Sequence, residues 1–210
     1  MGKYYVDVRI PDLSAFRPGF PGHYVRLIFR DNQPQDFRTR ALTSTFIRLT
    51  ETAIWQYENG RELIEEFWIK RDPGSIPIGS FIRASGYFES CITNMHRATE
   101  CMIAIRGRRY VQQDAKDLLP KPIRFIQEPV AGRLRAMRNA VQHFERQILA
   151  GQPPNKVRYI LAADGPEIEE GDDKTKLIDR LMIGEIEIEF SELCQWLQEM
   201  AKCAGAISNY

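Results

Sequence analysis

Apolar residues recur at steps of three and four over long parts of this chain, the period of a helix with one buried face. Residues 39 to 57 carry Leu42, Phe46, Leu49, Ala53 and Tyr57 in this pattern. Asn59-Gly60 is expected to interrupt it, and 62 to 69 to resume it. Pro73, Gly74, Pro77 and Gly79 make a clear break. A longer helix is predicted from Ser80 to Arg106, with Phe81, Ala84, Phe88, Ile92, Met95, Ala98, Met102 and Ile105 on one stripe. Gly107-Arg108-Arg109 ends it, and a linker with Pro120 and Pro122 follows. The next helix begins near Pro129, a residue suited to a first turn, and stops before Gly151 and Pro153-Pro154. Its residues Val130, Leu134, Met137, Val141, Phe144 and Ile148 fall within about 80° on a helical wheel.

Both ends of the chain change character. Tyr4 to Ile10 and Tyr24 to Phe29 read as strands, separated by a loop with Pro11, Pro18, Gly19, Pro21 and Gly22. Val157 to Leu161 reads as another strand. Glu185-Ile186-Glu187-Ile188-Glu189-Phe190 alternates strictly, as in a strand with a glutamate face toward water. An acidic stretch with Asp164, Glu167, Glu169, Glu170, Asp172 and Asp173 lies between them and reads as a solvated loop. Ser191 is placed to cap a last helix bearing Leu193, Leu197, Met200 and Ala204. The expected fold is mainly α with added β, an up-and-down bundle of about four helices in a single domain over 1–210. Residues 1–37 form a β-rich extension, 38–150 the bundle, and 151–210 a β-hairpin with an acidic loop and a final helix. The N-terminal strands and the hairpin are expected to share one small sheet, burying Val6, Val8, Ile186 and Ile188 together.

The 210 residues and 43% apolar content allow a real core. A formal net charge of +1 excludes a protein that coats nucleic acid by bulk charge, so any nucleic acid would meet a local patch. Cys91, Cys101, Cys194 and Cys203 lack metal-ligand spacing and read as reduced, buried thiols of a cytoplasmic protein. No metal or other cofactor is expected. The start, Met1 to Asp7, lacks an apolar run ahead of a small-residue cleavage site, so no secretory leader is expected. No stretch approaches the roughly 20 apolar residues that span a bilayer.

Chemistry concentrates in Arg138-Asn139-Ala140-Val141-Gln142-His143, within the helix that starts near Pro129. Arginine grips phosphate through a planar fork of donors, and histidine exchanges a proton near neutral pH. On the helical wheel Asn139, His143, Arg146 and Arg135 lie broadly opposite the apolar stripe. Arg138 is rotated from His143 by about 140°, so it reaches the same place only by its length. The motif is thus presented to solvent or to a second subunit. Gly132, Ala136 and Ala140 step by four beside it, which lets another helix approach.

This RNAVQH segment resembles the R-x4-H signature of HEPN domains, in which a small polar residue commonly follows the arginine. The resemblance spans about 40 to 150 plus the last helix, and its specific part is six residues. It implies a helical bundle that dimerises through the motif helix and acts as a metal-independent ribonuclease, in toxin–antitoxin or phage-defence systems. Carried over by position, Arg138 and His143 would be the catalytic pair and Asn139 their polar companion. Cleavage would proceed by attack of the RNA 2′-hydroxyl to a 2′,3′-cyclic phosphate. An antitoxin or other protein partner would accompany the homodimer.

Around the motif, Arg133, Arg135 and Arg146 are candidates for an RNA-tracking row, or a solvated helix face. His96, Arg97 and Glu100 on the long helix are candidates for the edge of the same site, or a surface contact only. His23 reads as incidental within its loop, and Arg106, Arg108 and Arg109 as a complement to a helix dipole, with RNA contact as a secondary reading. Trp55, Trp68 and Trp196 suit core or interface positions. Two functional readings stay open: a homodimeric endoribonuclease, or a non-catalytic helical module that binds RNA, a nucleotide or a partner protein.

Overall fold

The computed structural model describes residues 2–16, 23–25, 36–70, 77–109, 111–151 and 160–208, with the backbone alone for 144–148. The fold is mainly α with added β. Its four long helices are α1 (Phe37–Trp68), α2 (Ile78–Gly107), α4 (Glu128–Leu149) and α5 (Phe190–Ile207), and a short α3 (Gln113–Asp117) precedes α4. Asp36 caps α1, its carboxylate accepting the Thr39 backbone N–H at 2.6 Å.

Helices α1 and α2 pack as an antiparallel pair. Gln56 meets Asn94 at 2.8 Å, and Glu66 meets Ser80 at 2.9 Å. Asn59-Gly60 does not interrupt α1, which is one continuous helix. Gly60 serves the packing instead: a Cβ placed there would lie 2.8 Å from the Phe88 ring. Phe88 is fully buried, edge-on to Tyr57 of α1 and tilted against Phe190 of α5. The glycine is the notch into which this ring fits. Its helix-propensity cost of about 1 kcal/mol is accepted for close approach.

The N-terminal segment is tied to the same helix pair. Glu58, fully buried, accepts the Leu13 backbone N–H at 2.6 Å and two bonds from Arg61. Tyr57 donates its hydroxyl to the Pro11 carbonyl at 2.9 Å. Leu13 is thereby held in the core, immediately before a single 3₁₀ turn, Ser14–Phe16.

Among the described residues, six strands form two three-stranded sheets rather than one. In the first, β1 (Tyr4–Val8) runs parallel to β4 (Asp173–Ile178), which pairs antiparallel with β3 (Glu167–Glu170). In the second, β2 (Ala162–Asp164), β5 (Arg180–Ile183) and β6 (Ile186–Glu189) are antiparallel. The N-terminal strand therefore does join C-terminal strands, but Val6 and Val8 lie in one sheet and Ile186 and Ile188 in the other. All four still pack on or in the common core.

The sheets are joined by a kink in one long hairpin. The register shifts by one residue between β3–β4 and β2–β5, with Asp179 as the extra residue, the signature of a bulge. Gly165 is required there, because a Cβ would lie 2.5 Å from the Leu177 carbonyl oxygen. The acidic stretch is consequently built into strands. Lys176 neutralises the buried Asp164 at 2.6 Å, and Lys174 pairs with Glu169 at 2.6 Å, each across β4. A loop was expected because the cross-strand lysines lie several residues away in sequence.

Other expectations are corrected at the ends. Residues 23–25 are helical, so Tyr24 does not begin a strand, and 26–29 lie outside the described residues. His23 is not incidental. It is buried, with Nδ1 3.3 Å from the Ser208 carbonyl oxygen, close to the end of α5. The expected strand at 157–161 falls largely outside the described residues; strand structure begins at Ala162. Glu189, not Ser191, occupies the cap of α5, and the Ser191 hydroxyl donates to the Glu189 carboxylate at 3.1 Å. Buried Phe190 already opens the helix, which places Ser191 inside its first turn. Among the described residues no helix is long and apolar enough to cross a membrane.

The Gly60 notch yields a test. Gly60→Ala should lower stability by about 1–3 kcal/mol, since the Phe88 ring is wedged between Tyr57 and Phe190. Urea denaturation checks the sign, and a stabilised variant would show that the ring can move aside.

Candidate functional site

Helix α4 presents different arginines to different neighbours. The first turn carries Glu128, favourable at the positive end of a helix. Leu134 and Met137 are fully buried and fix the helix rotation. Arg133 then points to α5, where both guanidinium ends bond Glu192, at 2.7 and 2.8 Å. Its planar head also lies over Trp196, 5.4 Å from the ring centroid. Hydrogen bonding to Glu192 raises the Arg133 pKa above its ordinary value. Arg133 is therefore a strut between α4 and α5, apart from the motif, and not one of a row with Arg135.

Arg138, Asn139 and His143 are half-buried rather than freely solvated. Arg138 is tied to the next residue of the motif. Arg138 Nη1 donates to Asn139 Oδ1 at 2.9 Å. Asn139 lies four residues before His143 and shares its side of the helix. The asparagine thus draws the guanidinium round toward the histidine's face. Among the described residues the His143 ring forms no hydrogen bond or ion pair, and the Arg146 side chain lies outside them.

Helix α2 supplies the opposite wall. Arg135 lies 3.2 Å from Glu128 and 3.8 Å from Glu100, and Glu100 lies 3.9 Å from His96 Nε2. The last two are ion-pair distances, too long for hydrogen bonds. Burial pushes the His96 pKa below the usual imidazole value. Glu100 pulls it up, while Arg138 and then Arg135 push it down. His96, Glu100, Arg135, Arg138 and Asn139 thus form one electrostatic group across α2 and α4. Arg97, one position from His96, is exposed and has electrostatic contact with Cys101. Glu100 acts on the same thiol.

Glu89 is a candidate that the sequence reading did not single out. It sits seven residues before His96 and so on the same flank of α2. It is half-buried and accepts a backbone hydrogen bond from Leu161, yet burial raises its carboxyl pKa above the usual range. The heptad spacing from His96 was the available signal; its burial was not visible, because it depends on residues 72 positions away.

The remaining chemistry-bearing groups are structural. All four cysteines are free, and burial pushes the Cys203 thiol up to about 12, which leaves it unreactive as a nucleophile. Trp55 is half-exposed, edge-on to Tyr87, and Trp196 is buried. Lys116 donates to the Arg108 carbonyl at 2.9 Å, capping the end of α2 together with Arg106 in its last turn. A cavity of about 510 Å³ lies between the start of α4 and α5, lined by Pro122, Val130, Trp196 and Glu199 among others. The Arg138 group does not line it. Among the described residues no three His, Cys, Asp or Glu side chains are grouped to hold a metal.

Comparison with family models, curated proteins and solved structures found no match for this chain.

Arg133→Ala should lower stability by about 1 kcal/mol, a modest figure because both partners of the ion pair are partly exposed. Thermal melting measures it. A loss several-fold larger would show that the Trp196 contact matters more than the Glu192 bond.

Proposed function

We propose that this protein is a HEPN-type, metal-independent endoribonuclease in which Arg138, Asn139 and His143 act on the scissile phosphodiester. The observation that carries the proposal is the Arg138–Asn139 hydrogen bond, which turns a guanidinium toward the face of α4 that bears His143. RNA holds its own nucleophile. A base removes the 2′-hydroxyl proton, the 2′-oxygen bonds phosphorus, and the bond to the 5′-oxygen breaks. An acid returns a proton to that oxygen, leaving a 2′,3′-cyclic phosphate and a 5′-hydroxyl. His143 serves as base or acid, and Arg138 balances the charge that builds on the phosphoryl oxygens. Arg135, exposed and only loosely paired, extends the phosphate-binding surface; Arg146 is assigned to the same surface from its sequence position.

The proposal includes a homodimer formed through α4. Its support is the accessible strip at Gly132 and Ala136; a Cβ on Gly132 would meet only the Glu128 carboxylate, at 3.4 Å. Four free cysteines suit a reducing, cytoplasmic setting. A toxin or defence role, with an antitoxin as partner, follows from the resemblance alone.

The test is incubation of the purified protein with tRNA or total RNA in EDTA, beside His143→Ala and Arg138→Ala. Cleavage by the wild type, with cyclic phosphate ends and a loss of at least about 100-fold in either variant, is the expected result. Intact RNA with folded, dimeric wild type would instead support a non-catalytic helical interaction module.

A further inference from the structure

We propose that His96 and Arg135 complete, within one protomer, the phosphate site begun by Arg138 and Asn139, so that an RNA phosphate is held between α2 and α4 beside the His96 imidazole. The inference rests on the nuclease reading for its substrate, but not for its geometry.

Three observations carry it. First, Arg135 is held by exposed partners only, Glu128 at 3.2 Å and Glu100 at 3.8 Å, and Arg138 by the neutral Asn139 amide. Arg135 and Glu100 are each about half-exposed at 3.8 Å, and such a surface pair is worth roughly 0–1 kcal/mol. A phosphate can displace Glu100 at small cost. Arg133, locked onto Glu192 by two short bonds, offers no such freedom. Second, the imidazole at this place comes from the opposing helix. His96 shares Glu100 with Arg135 and has electrostatic contact with Arg138. Third, the charged groups acting on His96 are known from both helices: Glu100 on its own, Arg138 and Arg135 on the other. Burial is the largest influence and lowers the His96 pKa below the usual imidazole value; Glu100 opposes it, and the two arginines add to it. An entering phosphate offsets the two arginines and favours the imidazolium.

The consequence for cleavage is a division of labour. The neutral His96 ring takes the 2′-hydroxyl proton as the 2′-oxygen bonds phosphorus. The proton for the departing 5′-oxygen comes from His143, as the acid of the proposed nuclease. After one turnover the two rings have exchanged states, and solvent restores them. The second imidazole then need not come from another protomer.

With three histidines in the chain, ring-labelled protein gives three resolvable signals by NMR. His96→Asn and His143→Asn assign them in the full-length chain. Titration is run with and without inorganic phosphate at constant ionic strength. In the free protein the His96 midpoint should lie below the usual imidazole value, and phosphate should raise it by about half to one unit. Arg138→Ala should abolish that rise, and Glu100→Gln should lower the midpoint of the free protein further. A His96 midpoint unmoved by phosphate in folded wild type overturns the proposal, even if RNA is cleaved. A phosphate response without RNA cleavage sustains the site and removes the nuclease reading. If RNA is cleaved, His96→Asn should flatten the acidic limb of the pH–rate profile, where the base is lost by protonation; an unchanged profile overturns the proton-transfer role.

Discussion

The Phe88 ring is the contact on which the other placements depend. It fills the notch opposite Gly60, touches Tyr57 on α1 and Phe190 at the start of α5, and is fully buried. One side chain therefore sets the separation of α1 and α2 and the point where α5 begins. Because Phe190 follows β6 directly, the same ring also anchors the second sheet. The Glu58–Leu13 bond lies one helical position pair away and extends that anchoring to the N-terminal segment. With α2 fixed against α1 on one side, its flank bearing Glu89, His96 and Glu100 is left for α4.

Helix α4 is then constrained from two directions. Leu134 and Met137 are buried in the core, and Arg133 is bonded to α5 through Glu192. Rotating α4 by one residue would break that strut and expose Met137. The rotation in turn decides which arginines stay available. Arg133 is a structural cation, its charge satisfied at short range. Arg135 is held by an exposed pair to Glu128 at 3.2 Å and a longer one to Glu100 at 3.8 Å, and Arg138 by a neutral amide oxygen at 2.9 Å. A row of arginines in the sequence is thus divided by function according to the element each one faces.

The sequence made the long helices legible because their burial is one-sided over many turns. Phe81 to Ile105 and Val130 to Val141 lie where the periodicity puts them. It misled where an element depends on distant partners. Gly60 reads as a breaker unless the Phe88 ring is known to lie opposite. The acidic run reads as a loop unless Lys174 and Lys176 are known to stand across from Glu169 and Asp164. A one-residue bulge at Asp179 hides that register from any simple alternation of apolar and polar positions.

The candidate site shows the same division. Arg138, Asn139 and His143 are legible because they share one helix and their spacing is local. The 140° offset of Arg138 looked unfavourable because an ideal wheel treats side chains as spokes. A guanidinium on a flexible stem is not a spoke, and a hydrogen-bond acceptor on the next residue is enough to redirect it. His96 and Glu100 were legible only as neighbours of one another. Their relation to the motif needs the α2–α4 register, which is set by core contacts of Met95, Leu134 and Met137 rather than by any residue of the site. A polar cluster between two helices is therefore specified by the apolar residues that dock them, and a reading confined to chemistry-bearing residues finds only the half that lies on a single helix.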